Sequence, residues 1–137
     1  MRIVFDTNVI VSALRSNKGA SFQLVSRFRK LPIDICISVA LVLEYEAVLK
    51  RDGLVPLTEM QVDIFLDILC NNTLHPKITY LWRPFLKDAK DDLVLELALN
   101  AGAIIVTHNV KDFEGSESLG VKVLTPAQLI DLLVKKG

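Results

Sequence analysis

The composition of this 137-residue chain limits the classes of protein to which it can belong. Just over half of its residues, 51%, are hydrophobic, which is enough for one domain with a continuous core. Lys plus Arg and Asp plus Glu number 16 each, so no net positive field indicates a nucleic-acid partner. The two cysteines lack paired spacing, and no apolar run reaches membrane-spanning length. We therefore expect a single domain over residues 1–137, soluble and cytoplasmic, with no membrane partner.

Short β-rich runs alternate along the chain with longer helical patterns. The predicted strands, in chain order, are residues 2–6, 33–37, 103–107 and 121–124. Their continuous apolar character suits strands that are buried on both faces. Residues 77–81 are a candidate edge strand. The alternation predicts an α/β fold with three layers, α/β/α, around a central, mostly parallel, Rossmann-like sheet.

Capping residues mark the start of several predicted helices. A helix is predicted over residues 38–51, with Ser38 as its N-cap. Thr58 and Gln61 have the spacing of a capping box, which opens the next helix. The same box recurs at residues 125–128, with proline at the first helical position.

Four acidic residues lie where a predicted strand ends or where the helix after it begins: Asp6, Glu44, Asp91 and Asp112. The carboxyl ends of parallel strands line one crevice of an open sheet, so residues distant in sequence can meet there. Four carboxylates in one crevice need cations, and hard divalent ions such as Mg²⁺ or Mn²⁺ take oxygen ligands. This pattern indicates metal-dependent phosphodiester chemistry.

The first two acids also have ordinary structural interpretations. Asp6 follows the first strand, where it could serve only as a helix cap, as could Thr7. Glu44 lies on an apolar stripe of its helix, where a carboxylate is costly unless it is paired or binds a metal. Helical spacing alone does not separate Glu44 from Glu46, and either could be a solvated glutamate.

The last two acids lie in polar segments that offer competing candidates. The segment KDAKDD places Asp88, Asp91 and Asp92 at a helix start, where acidic residues are common for electrostatic reasons. Asp88 and Asp91 are one helical turn apart and can share a side of the helix. In THNVKDF, after the 103–107 strand, Asp112 could be a plain turn residue. His108 is better suited to a substrate contact or a surface position, because hard cations favour oxygen.

Three stretches of the chain resemble the PIN domains and, within them, the VapC-like toxins of toxin–antitoxin pairs. FDTNVIVSAL resembles the family's opening strand and places its first acid at Asp6. SVALVLEYEAVLKR resembles the helix that carries the family glutamate, and the match falls on Glu44. KDAKDDLVLELALNAGAIIVTHNVKDF places the next acid at Asp91, two turns before Ala98. Its final pattern, T-x-N/D-x-x-D-F, aligns with Thr107, Asn109 and Asp112.

The resemblance implies a PIN-like fold and a ribonuclease in which the four acids surround Mg²⁺ or Mn²⁺, with a metal-activated water as nucleophile. Polar neighbours would orient the carboxylates and the water: Thr7, Asn8, Thr107 and Asn109. Basic residues near the motifs would position RNA phosphates: Arg15, Lys18, Lys87, Lys90 and Lys111. Asn109 stands where some PIN branches carry Asp, so a single tightly held metal is expected.

The resemblance also implies a homodimer and a cognate antitoxin whose tail enters the acidic crevice. The predicted helices at residues 39–49 and 62–69 carry apolar residues on more than one face, a pattern that favours association.

Three other functions are alternatives to a nuclease. A haloacid-dehalogenase-like phosphatase needs a second Asp two residues after the first, where Asn8 stands. A receiver-like binding module needs a phosphoacceptor Asp after the third strand and a Lys after the fifth, and neither is visible. A catalytically idle PIN scaffold that binds RNA or protein remains the main alternative.

Overall fold

Four parallel strands and six α-helices form the part of the chain that the computed structural model describes, residues 1–78 and 85–136. The strands are β1 (Arg2–Phe5), β2 (Asp34–Ile35), β3 (Ile104–Val106) and β4 (Val123–Leu124). The helices are α1 (Thr7–Arg15), α2 (Ala20–Ser26), α3 (Val39–Leu49), α4 (Glu59–Asn71), α5 (Ala89–Ala101) and α6 (Pro126–Lys136). Short 3₁₀ turns lie at Phe28–Lys30, Val110–Phe113 and Ser116–Leu119.

The sheet has the strand order β2-β1-β3-β4, and every pair is parallel. Ile3 of β1 is in register with Ile35 on one side and with Ile104 on the other. Helices flank this sheet, which confirms the predicted layered α/β fold with a parallel sheet. The chain leaves β1 toward one edge to form β2 and later returns to the other side to form β3. The boundary between β1 and β3 is therefore the topological switch point of the sheet.

All four predicted strands are present, but each is shorter than predicted. The edge strands β2 and β4 have two residues each. Next to β2, Leu74 forms an isolated parallel bridge with Cys36. Of the candidate edge strand at 77–81, Lys77 and Ile78 are not in a strand, and the rest lies outside the described residues.

The predicted capping residues are confirmed. The Ser38 side chain accepts a hydrogen bond from the Leu41 N–H at 3.2 Å, and both halves of the Thr58–Gln61 box are formed. The same reciprocal pair joins Thr125 to Gln128 ahead of α6. These bonds satisfy N–H groups that the helix itself leaves unpaired.

Tyr45 fixes α3 against the end of the central strand. Its side chain is fully buried, and its hydroxyl donates a hydrogen bond to the Phe5 carbonyl. Burial raises the pKa of the Tyr45 hydroxyl well above its usual value, so the group stays a neutral donor. This contact anchors the residues next to Tyr45 on α3 close to the carboxyl end of β1.

The cysteines and the helix lengths complete the description of the fold. Both cysteines are free, Cys36 buried and Cys70 partly buried. No helix in residues 1–78 and 85–136 is long and apolar enough to cross a membrane.

Candidate active site

The switch point of the sheet places two polar residues side by side. Asp6 directly follows β1, and Thr107 directly follows β3. Because β1 and β3 are neighbours and parallel, the two residues meet at the same edge of the sheet. The Thr107 hydroxyl donates to Asp6 Oδ2 at 2.7 Å, although the residues are 101 positions apart in the chain.

Both carboxylate oxygens of Asp6 have fixed partners. Oδ1 accepts from the Thr7 N–H at 2.8 Å, which makes Asp6 the N-cap of α1. Oδ2 accepts from Thr107 and from the Asn8 side-chain amide, the latter at 3.1 Å. Asp6 therefore caps a helix and also faces the cleft described below, so the cap interpretation and the site interpretation are compatible.

The environment of Asp6 opposes its negative charge. Asp6 is only 8% exposed, and this burial is the largest effect that raises the pKa of its carboxyl. The charges of Asp112 and Glu44 raise the pKa further, while the hydrogen bonds from Thr107 and Thr7 partly offset the increase. A buried carboxylate that faces other carboxylates is a group that a cation would stabilise.

The polar residues beside Asp6 form one hydrogen-bonded network. The Asn8 side chain links α1 to the loop after β3. Its amide donates to Thr107 at 3.3 Å, and its carbonyl oxygen accepts from the His108 N–H at 3.2 Å. The Asn109 N–H donates to the Thr107 hydroxyl at 3.0 Å. The structure thus brings together all four residues that the motifs single out as orienting groups, with Thr7 bound to Asp6.

The two glutamates of α3 lie in different surroundings. Glu44 lines the cleft, its side chain is 17% exposed, and one of its oxygens lies 3.8 Å from Lys90 Nζ. The Glu46 side chain is 41% exposed and pairs with Lys50 at 3.1 Å, while Lys50 also contacts Asp63 of α4 at 2.7 Å. Helical spacing left these residues unresolved, and the tertiary structure places only Glu44 with the other acids.

The three aspartates of KDAKDD have separate roles in the fold. Asp88 is the N-cap of α5, where it accepts from the Lys90 N–H at 2.9 Å, and it also contributes to the cleft lining. Asp92 Oδ1 accepts two backbone N–H groups of the preceding loop, those of residues 85 and 86, at 3.2 and 3.0 Å. Asp91 lines the cleft, where burial and then the charges of Asp6 and Asp112 raise the pKa of its carboxyl to about 7.

Asp112 reaches the cleft from a fourth element. It lies in the 3₁₀ turn Val110–Phe113, which follows β3, and Phe113 anchors this turn in the core. The Asp112 side chain is exposed and contributes to the cleft lining. The four acids of the motifs, from the β1 end, α3, the start of α5 and the turn after β3, therefore line one cavity, and Asp88 is a fifth acid in its lining.

This cavity, the acidic cleft, has a volume of about 720 Å³. Two of the five predicted basic residues, Arg15 and Lys90, line it, whereas Lys18, Lys87 and Lys111 do not. Arg51 also lines the cleft, and the sequence interpretation missed it. Its signal in the sequence was its place in the helix predicted over residues 38–51, two turns after Glu44 on the same face, although α3 ends two residues before it.

His108 and His75 make local contacts. His108 Nε2 lies 2.8 Å from the Ser21 hydroxyl, so this side chain links the loop after β3 to α2. His75 Nε2 lies 2.8 Å from the Cys70 carbonyl oxygen. Neither histidine lines the acidic cleft.

The donor set of the cleft fits a hard divalent cation. Its titratable candidates are all carboxylates, and their mutual repulsion contributes to the raised pKa of Asp91. In the described ranges, no three His, Cys, Asp or Glu side chains are grouped so that they could hold an ion by themselves. Mg²⁺ is commonly held by one or two carboxylates together with waters and substrate phosphate, and the arrangement suits that mode.

Solved structures of low sequence identity share this fold. VapBC2 from Rickettsia felis, bound to a DNA fragment from its promoter, matches with a TM-score of 0.64 at 17% identity and covers 91% of this chain and 98% of that chain. VapBC-1 from nontypeable Haemophilus influenzae matches with a TM-score of 0.61 at 16% identity and covers 93% and 99%. FitAB bound to the IR36 DNA fragment matches with a TM-score of 0.58 at 17% identity and covers 90% and 94%.

A family model identifies the family of this chain. No curated protein matches the chain. The family model described as PIN domain matches residues 2–111, which is most of the chain. The matched region includes Asp6, Glu44 and Asp91 and ends one residue before Asp112. The chain therefore belongs to the PIN domain family.

Proposed function

We propose that this chain is an endoribonuclease that uses Mg²⁺ or Mn²⁺ to hydrolyse RNA phosphodiester bonds, and that it is the toxin of a toxin–antitoxin pair in the cytoplasm. One observation carries the proposal: carboxylates from four separate elements line a single cleft of a PIN domain. The proposed metal ligands among them are Asp6, Glu44, Asp91 and Asp112. A set made of carboxylate oxygens suits hard divalent ions, and such ions also bind phosphate.

The chemistry that such an ion supplies is the activation of water and the polarisation of a phosphoryl oxygen, which removes the need for a protein nucleophile. The chain's own residues orient the Asp6 carboxylate through hydrogen bonds. Thr107 and Asn8 fix one oxygen of Asp6, and the Thr7 N–H fixes the other. Asp91, with a pKa of about 7, holds a proton in part of the molecules at neutral pH, and a bound cation favours its ionised form.

The local contacts of Asp6 support a nuclease over a dehalogenase-like phosphatase. That phosphatase chemistry needs a second Asp at the position of Asn8, and the Asn8 amide donates to Asp6 at 3.1 Å. Asn8 is thus an orienting group for the first acid. An idle PIN scaffold would bind RNA or protein without cleaving, and the four acids that line the cleft argue against it.

A cleavage assay tests the proposal. The purified protein, incubated with single-stranded RNA, should cleave in Mg²⁺ or Mn²⁺ and should not cleave in EDTA. Asp6→Asn should lose activity while its circular dichroism spectrum and melting temperature show a folded protein. Asp131→Asn, which changes an exposed acid on α6, is the matched control and should cleave like the wild type. Undiminished cleavage by Asp6→Asn, or in EDTA, would overturn the proposed site.

We also propose a homodimer and a protein antitoxin as partners. Two helices expose apolar side chains that the fold leaves uncovered: Val39 and Leu43 on α3, and Met60, Ile64 and Ile68 on α4. Exposed apolar surface of this kind tends to be used in association. Light scattering should report a dimer at micromolar concentration, and a strict monomer would remove the dimer claim. A cognate partner should inhibit in competition with Mn²⁺, and inhibition without loss of bound Mn²⁺ would contradict that competition.

A further inference from the structure

The acidic cleft has a basic end. Helices α1 and α3 pack against each other, and the cleft follows both of them away from the carboxylates. Its lining includes Arg15, the last residue of α1, and Arg51, two residues past the end of α3. With a rise of about 1.5 Å per residue, Arg15 lies roughly 14 Å along α1 from Asp6, and the end of α3 at Leu49 lies roughly 8 Å from Glu44.

Neither arginine has an acidic partner in the described part of the chain. Both side chains are exposed, and no ion pair involves either of them within residues 1–78 and 85–136. Their neighbour Lys50 differs sharply, since it pairs with Glu46 at 3.1 Å and with Asp63 at 2.7 Å. Two consecutive cations at the end of α3 are therefore used differently, and only Arg51 faces the cleft.

The chemistry of this end suits phosphate groups. A guanidinium presents a planar set of donors that matches phosphate oxygens in pairs, and it is more weakly hydrated than an ammonium group. Both arginines lie at helix C-termini, where the helix dipole favours a cation without consuming its hydrogen-bond donors. Between the acidic and basic ends the wall includes Val11 of α1 and Val48 of α3, which offer apolar surface to a base or a ribose.

We propose that Arg15 and Arg51 form a subsite that binds the RNA backbone next to the bond that is cut, so that the substrate must be a single strand extending past the carboxylates toward the arginines. This inference rests on the proposed ribonuclease function. Arg15 lies at the opposite end of α1 from Asp6, and Arg51 lies past the end of α3 that follows Glu44, so they are placed to contact phosphates that flank the one held at the carboxylates. They act as positioning residues for the flanking phosphates, which carry affinity without base specificity.

Binding measured in EDTA tests the subsite without cleavage. In fluorescence anisotropy with a labelled single-stranded oligonucleotide, Arg51→Gln should weaken binding about tenfold, as expected when a charged hydrogen-bonding group is lost. Each arginine removed should lower the slope of log K against log salt by about 0.7, the value for one phosphate contact on a single strand. Arg15→Gln should behave likewise, and Lys50→Gln, the matched control one residue away, should leave the slope unchanged.

Cleavage kinetics give a second readout. In Mn²⁺, Arg51→Gln should raise KM and leave kcat unchanged for a long oligonucleotide. It should have no effect on a dinucleotide, which cannot reach the arginines. An unchanged salt slope for both arginine variants, or an equal change for Lys50→Gln, would overturn the subsite. So would equally tight, arginine-dependent binding of polyglutamate, because the site would then fit an acidic protein segment.

The two proposals fail separately. If the wild type binds RNA with an arginine-dependent salt slope but cleaves none in Mg²⁺ or Mn²⁺, the subsite stands and the nuclease proposal falls. If the wild type cleaves while the arginine variants bind and cleave as it does, the nuclease stands and the subsite falls.

Discussion

The two glutamates of α3 differ by only two positions, yet the fold gives them opposite surroundings. Glu44 lies in the acidic cleft, largely covered, with Lys90 at 3.8 Å as its only ion-pair partner in the described residues. Glu46 belongs to a partly exposed ion-pair group with Lys50 and Asp63. The comparison shows that residue type alone does not mark a site. A carboxylate becomes a candidate ligand when the fold surrounds it with other carboxylates and supplies too few cationic side chains to neutralise them.

The largest effect is expected when this comparison is tested directly. Glu44→Gln should weaken Mn²⁺ binding and cleavage by at least tenfold, the scale seen when groups around a metal site are lost. Glu46→Gln removes the same charge two residues away and should leave Mn²⁺ affinity unchanged, because Glu46 does not line the cleft. The partly exposed ion pair that it loses contributes little to stability. Calorimetric titration of both variants provides the measurement. A larger loss for Glu46→Gln would mean that the alignment is displaced to the wrong face of α3.

A smaller effect is expected for Asp91 in the absence of metal. Its pKa is about 7 in the folded protein and close to 3.8 in the unfolded chain. The unfolded chain therefore releases its proton first, and stability is lost as the pH rises from about 4 to 7. Asp91→Asn avoids this loss of stability, because the asparagine side chain does not ionise. In EDTA at pH 8 it should raise the melting temperature by about 3–5 °C, the shift that roughly 1 kcal/mol produces in a domain of this size.

The pH dependence of that gain is the critical control. The stabilisation by Asp91→Asn should disappear below about pH 4, where both states of the wild type are protonated at Asp91. Asp92→Asn should not reproduce it, since Asp92 accepts two backbone hydrogen bonds at 3.2 and 3.0 Å and its loss should destabilise the loop. Equal stabilisation at all pH values would contradict the assignment to a raised pKa.

The smallest effect concerns Lys90, which brings a positive charge to the acidic cleft. Lys90 lies in the first turn of α5, the positive end of the helix dipole, where a cation is unfavourable without acidic neighbours. Lys90→Met removes a competitor for the carboxylates and should tighten Mn²⁺ binding about two- to fivefold at low salt, the range for an exposed ion pair. Lys87→Met, a nearby exposed position outside the cleft lining, should not. Weaker binding by Lys90→Met would show that Lys90 supports the ion instead.

Local patterns in the sequence predicted much of this fold. The caps at Ser38 and Thr58 were predicted because a capping hydrogen bond joins residues three apart, so its whole geometry is local. The strands were located from apolar runs, but the edge strands came out shorter because their bounds depend on which residues pair with the neighbouring strand. Arg51 went unnoticed as a cleft residue, because a basic residue after a helix is ordinarily solvated.

The sequence by itself determined the order of elements, the parallel α/β class and the set of candidate acids, since these follow from apolar periodicity, caps and motif spacing. The family resemblance favoured Glu44 over Glu46, but only the tertiary structure gave the two glutamates different surroundings and gave Asp88, Asp91 and Asp92 different partners. Those distinctions depend on which helix face meets the switch point between β1 and β3. Contacts such as Thr107 to Asp6, 101 positions apart, form only when the sheet assembles, and no local pattern encodes them.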